Sequence, residues 1–166
     1  NVGATVKAAP RLRLDPQTYG RDPLKFLKDG NFVPMELASR FETIVAQICD
    51  AITPRFTDVQ YVLLHGDCHS GNILWNRDDP YFIDFDDMLY APPVQDIWML
   101  TGGDDDYGKE QRRILLEAYE QIRTFDVATL QLIEPLRALR MIHFSAWIAR
   151  RWEDSAFKAS FPDFGT

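Results

Sequence analysis

The chain has 166 residues, enough for one ordinary domain with its own core, and 46% apolar with 26% charged residues is a globular composition. A net charge of -7 argues against a nucleic-acid or anionic-membrane surface as the main partner. Two cysteines make no disulfide framework, and no apolar run approaches the ~20 residues that span a bilayer, which points to a reducing, cytoplasmic setting.

Residues 1–35 carry Pro10, Pro16, Pro23 and Pro34 with Gly3, Gly20 and Gly30, and read as a connecting stretch. One short helix is predicted within it, with Asp22 as cap and Pro23 at the first helical position before Leu24–Lys28. From Met35, apolar Leu37, Phe41, Ile44, Val45, Ile48 and Ile52 recur at three- and four-residue steps, a helix that Pro54 ends. Three short runs of β character follow: Tyr61–Leu64, Ile73–Trp75 and Tyr81–Ile83. Residues 76–80 between the last two read as a hairpin loop.

The remainder is predicted helical. A short helix over Val94–Thr101 ends at Gly102-Gly103, and Lys109–Phe125 carries Ile114, Leu115, Ala118, Tyr119 and Ile122 on one face. Ala128–Trp152 forms a further helical region that Pro135 restarts. The expected fold is α+β and mostly helical, a small β patch set in helices.

The chemistry concentrates in residues 65–87. His65-Gly66-Asp67-Cys68-His69-Ser70-Gly71-Asn72 places an Asn five positions after an Asp, and Asp84 follows at the end of the third apolar run. Asp67 can take a proton from an attacking hydroxyl, while Asn72 and Asp84 offer hard oxygen ligands to magnesium. The hairpin would fold Asp84 back beside the loop bearing the other two. Two carboxylates ~6 Å apart repel by roughly 3 kcal/mol at an effective dielectric near 20. Adding Asp86, Asp87 and a polyphosphate makes a bound dication close to obligatory. Each of these residues alone would be structural more often than not; the joint spacing carries the reading toward phosphoryl transfer from ATP with magnesium.

His65-Gly66-Asp67-x-His69-x-Gly71-Asn72-Ile73-Leu74 resembles the catalytic loop of the aminoglycoside phosphotransferase and choline kinase superfamily, which shares the two-lobed protein-kinase fold. More narrowly, the chain resembles the bacterial stress response kinase A family of serine/threonine protein kinases. Leu64–His69, Gly71–Trp75, Asp84–Asp87, Val94–Met99, Ile133–Arg140 and Arg150–Trp152 with Ala156-Phe157 carry that likeness.

The resemblance implies that Asp67 is the base and that Asn72 and Asp84 are magnesium ligands. It assigns Asp96, in Asp96-Ile97-Trp98, the bracing of the loop through backbone hydrogen bonds, with His65, His69 and Asp86 in supporting roles. Asp86 stands where protein kinases have the Gly of Asp-Phe-Gly, and only about seven residues separate Asp84 from Pro92-Pro93, too few for a phosphorylated activation segment. No glycine-rich phosphate loop or strand-borne lysine is present. The chain therefore reads as a C-terminal lobe over residues 36–166 after an interlobe connection over 1–35. Its N-terminal lobe would be a partner from the same protein, and negligible ATP turnover is expected from this piece alone. The implied acceptor is a protein hydroxyl, with an amino alcohol, sugar or antibiotic as the alternative.

Rival readings are a zinc hydrolase built on His65, Asp67 and His69, and a non-catalytic binding module. The first leaves the Asn72 and Asp84 spacings unexplained, and the intact residue set argues against the second. Asp104-Asp105-Asp106 reads as a solvated loop that caps the next helix, not a metal cluster. Arg137, Arg140, Arg150 and Arg151 read as a solvated or acid-paired face, and His143, Trp147 and Trp152 as core or groove lining. Cys68 beside the base invites a redox role, against the plainer one of a small space-filling residue.

Overall fold

A computed structural model describes residues 10–164, which form two compact units. One comprises residues 10–13 and 60–127, the other residues 14–59 and 128–164.

The second unit is helical. A π-helical turn at Gln17–Arg21 runs into α1 (Asp22–Asp29), which has Pro23 in its first turn where a missing N–H costs nothing. Helix α2 (Met35–Ile52) follows the predicted periodicity and gives way at Pro54 to a 3₁₀ turn. Later in the chain come α5 (Ile133–Arg150), with Pro135 in its first turn, and α6 (Ser155–Ser160). Leu27, Ala146 and Ala149 form a buried core beneath Phe26, Phe32, Val33, Phe41 and Phe164. Gly20 is required there by close approach, because a Cβ would overlap the Cys49 sulfur.

Two of the late arginines lie over aromatic faces: Arg151 is 4.1 Å from the Trp147 ring centre, and Arg150 is 4.7 Å from that of Phe26. Arg137 pairs with Glu134 at 2.8 Å, as a solvated, acid-paired face requires.

His143 on α5 stacks on Tyr19, ring centres 3.9 Å apart, and its buried Nδ1 has no hydrogen-bond partner. Burial pushes its pKa down to about 4, aided by Arg150 and Arg140. A ring that stays neutral when folded and protonates when unfolded costs stability as pH falls. The loss therefore develops from about 6.5 toward 4 and is absent above 6.5. Its upper bound is about 3 kcal/mol, reduced by the partial exposure of the ring. Urea titrations at pH 7.5 and 4.5 are expected to show this extra loss in the parent and not in His143→Phe; equal losses would refute it.

In the first unit β1 (Val62–Leu64) pairs antiparallel with β4 (Leu89–Ala91), in the register Leu64 to Leu89. Residues 11–13 add a parallel edge, with Tyr90 N–H donating to Leu12 O at 2.8 Å. A second antiparallel pair, β2 (Ile73–Asn76) and β3 (Asp79–Phe82), is the expected hairpin. Its loop is tighter than the sequence suggested. Asn76 pairs with Asp79, and Arg77 takes a left-handed φ of 57° in the two-residue connection.

Helices α3 (Val94–Leu100) and α4 (Asp106–Glu120) complete the unit. The acidic run is indeed a cap: Asp105 accepts from Gly108 N–H at 2.8 Å, and Asp104 pairs with Arg112. That cap starts α4 three residues earlier than predicted, and the helix ends at Glu120, not Phe125. The fold is mostly helical with small antiparallel sheets, as expected.

Candidate active site

Because β1 and β4 run antiparallel, the exit of β1 and the entrance of β4 lie at the same end of their ladder. His65–Asp67 leave β1 there, and Asp84–Asp87 precede β4 there. The loop between them begins with a residue only glycine suits. Gly66 has φ +86°, and a Cβ on it would run into the Asp87 carbonyl oxygen.

Asp96, on the first turn of α3, clamps this start. Its Oδ2 accepts His65 N–H and its Oδ1 accepts Gly66 N–H, both at 3.0 Å. Burial pushes its pKa up, while those two N–H groups and His65 pull it down.

Gln95 holds the other end of the same residue, Gly66, a role the sequence does not announce. Only 2% exposed, it donates to Gly66 O at 3.2 Å and accepts from Trp98 Nε1 at 3.1 Å. Its one advance signal was an uncharged amide beside Asp96 in an otherwise apolar helix. His65 is buried, with Nε2 2.8 Å from Ile83 O and its ring 4.8 Å from that of Phe85. It thus ties the loop to the strand end that carries Asp84.

From Asp67 the chain turns through 3₁₀ geometry at Ser70–Asn72. His69 Nδ1 accepts Gly71 N–H at 3.0 Å, so the neutral ring carries its hydrogen on Nε2, which lies 3.5 Å from Asp67 Oδ2. Asn72 is 8% exposed and donates through Nδ2 to Asp67 O at 2.9 Å and toward Asp67 Oδ2 at 3.4 Å. That donation fixes the amide orientation and leaves Oδ1 without a donor among the described residues.

Ile83 N–H donates to Asn72 O at 3.0 Å, one step past the Ile73–Phe82 pair. The hairpin therefore delivers Asp84 to Asn72 as its spacing predicted. Asp84 takes the left-handed conformation at φ 63°, ψ 62°, and its exposed carboxylate accepts no hydrogen bond among the described residues. The Asn72 amide oxygen and the exposed Asp84 carboxylate, on residues at successive positions of one ladder, are oxygen types that a hard divalent cation takes. Asp86 follows in the Phe85–Asp87 turn, and its carbonyl accepts from Arg11 Nη1 at 2.8 Å.

The structure does not assemble the zinc alternative: among the described residues no three His, Cys, Asp or Glu side chains form a metal-holding group. Cys68 is 4% exposed, and burial, with Asp96 and Asp67 nearby, pushes its thiol up to about 12. It stays protonated at neutral pH, which favours the space-filling role over the redox one.

Residues 8–139 match the model of the phosphotransferase enzyme family. Over 145 residues the chain is 44% identical to stress response kinase A of Escherichia coli (strain K12), covering 87% of this chain and 44% of that protein. It is 42% identical, with the same coverage, to the serine/threonine protein kinase RdoA of Salmonella typhimurium (strain LT2). The chain thus spans less than half the length of these curated relatives.

Among solved structures it resembles amicoumacin kinase hAmiN in complex with AMP-PNP, Ca2+ and Ami, with a TM-score of 0.61 at 21% identity over 94% of this chain and 49% of that one. Spectinomycin phosphotransferase APH(9)-Ia, in complex with ADP and spectinomycin, gives 0.55 at 19% identity over 93% and 52%. At those identities the likeness is one of fold. The matched family model covers the whole loop from His65 to Asp96 and most of the chain around it, and the chain belongs to the phosphotransferase enzyme family.

Proposed function

We propose that this chain supplies the acceptor and metal side of an ATP- and magnesium-dependent phosphotransferase site, with serine or threonine hydroxyls of proteins as acceptors. The carrying observation is the paired tie of Asn72: its side chain binds Asp67 and its backbone binds Ile83, next to Asp84. Base and metal ligands are held by one residue. In this reading Asp67 Oδ2 accepts the acceptor's proton and aims its oxygen, while His69 Nε2 steadies that carboxylate. Asn72 Oδ1 and the Asp84 carboxylate would hold magnesium, which when bound neutralises charge on the phosphates. Asp96, Gln95 and His65 keep the loop from moving.

The nucleotide-clamping lysine is assigned to the part of the relatives that this chain does not cover. A cytoplasmic setting is part of this proposal and is supported by the two-cysteine composition. No described helix is long and apolar enough to cross a membrane. The protein acceptor is supported by the name of the relative at 42% identity, a serine/threonine protein kinase. A small-molecule acceptor is the second reading, favoured by the short Asp84-to-Pro92 connection. That stretch is a turn and β4, with no extended segment to receive a peptide.

The test is transfer of labelled phosphate from ATP by the full-length protein, with casein, itself, and a panel of amino alcohols and aminoglycosides as acceptors. Labelled protein is expected. Label on small molecules alone would move the acceptor class, and no magnesium-dependent transfer to anything would overturn the proposal.

A further inference from the structure

Arg11 makes a contact that crosses 75 positions of sequence to reach the turn after Asp84. The direction of the chain makes this contact specific. Residues 11–13 run parallel to β4, with Arg13 bridged to Tyr90 and Leu12 O accepting Tyr90 N–H. Two residues before Arg13, the backbone lies beside the entrance of β4, where the Phe85–Asp87 turn ends. From there the guanidinium donates to Asp86 O at 2.8 Å. The His65 ring lies 4.8 Å from that of Phe85 at the start of the turn, Met88 N–H donates to Phe85 O at 3.3 Å at its end, and the turn starts from a left-handed aspartate. Asp84, Asp86 and Asp87 place three carboxylates in four residues, so a fixed positive charge on the turn's backbone also offsets their mutual repulsion.

We propose that Arg11 is a positioning residue for the metal-ligand turn: the chain entering alongside β4 holds Asp84 in place through the Asp86 carbonyl. The proposal rests on the phosphotransferase reading above and adds a mechanical link. Any shift of residues 11–13 along β4 is passed to the carboxylate that receives the metal. Arg11 is exposed, so its replacement tests the tie without opening the core.

The experiment uses the full-length protein with Arg11→Ala and Arg11→Lys. Hydrogen exchange of the 85–88 amides is expected to quicken about tenfold in the alanine variant, the scale of one charge-assisted hydrogen bond. The 62–64 amides should keep the parental rate. Mn2+ titrated with ADP, followed by electron paramagnetic resonance, is expected to bind about five- to tenfold more weakly in Arg11→Ala. Lysine, which retains a charged donor, should restore most of both effects.

Unchanged exchange at 85–88 would overturn the proposal. So would quickened exchange with unaltered Mn2+ affinity, or equal losses in the lysine and alanine variants. If the parent itself binds no Mn2+ with ADP, the phosphotransferase reading falls instead, and the tie from Arg11 is decided by the exchange rates.

Discussion

Asp67→Asn in the full-length protein is expected to lower kcat for phosphoryl transfer by about 10³-fold, within the range for a positioned general base. KM for ATP should change little. The substitution keeps the size of the side chain, the backbone carbonyl that receives Asn72 Nδ2, and both oxygens assigned to the metal. What it removes is the proton-accepting oxygen facing His69 Nε2. Magnesium dependence should survive in the residual activity, since Asn72 and Asp84 are untouched. Steady-state kinetics at several magnesium concentrations would check both points. A variant within about threefold of the parent would remove Asp67 from the base role.

The second large effect concerns stability. Asp96→Ala leaves the N–H groups of His65 and Gly66 without their acceptor, in a stretch where both residues are buried. Each orphaned donor costs about 1–3 kcal/mol, so a loss of roughly 2–6 kcal/mol is expected. Asp96→Asn keeps one oxygen acceptor and should recover about half.

The pH dependence separates the charge from the hydrogen bonds. Asp96 is raised from its usual value of 3.8, so the folded state holds this proton more tightly than the unfolded one. Its contribution is greatest below the unfolded value and declines as pH rises through the folded one. Asp96→Asn should lose that slope. Urea unfolding from pH 3.5 upward measures both effects, and an alanine midpoint equal to the parent's would show that the clamp carries no stability.

The parts of this fold legible in the sequence were those whose signal is local. Helix α2 announced itself through periodicity, and the β2–β3 hairpin through two apolar runs around a polar turn. The backbone pairing of Ile83, next to Asp84, with Asn72 was legible for the same reason: a hairpin converts spacing in sequence into proximity. Strand β4 was missed because Leu89-Tyr90-Ala91 is only three residues long, sits before two prolines and finds its partner 27 positions away. Arg11 gave no local sign at all, since its target is a backbone carbonyl that carries no sequence signature. Helix α6 was overlooked despite a readable cap: Asp154 accepts Ala156 N–H at 2.8 Å ahead of a short apolar stretch.

The hairpin that gathers the site also presents Leu74, Trp75, Tyr81 and Phe82 at between 44% and 67% exposure. A two-stranded ribbon has an open hydrogen-bonding edge on either side, and apolar rings along it make a template for pairing with another copy. The same ribbon that sets the spacing of Asn72 and Asp84 is thus where self-association would begin. A charge introduced at Trp75, off the Asp67–Asn72–Asp84 contacts, is the substitution that would keep such material in solution and leave the carboxylates where they stand.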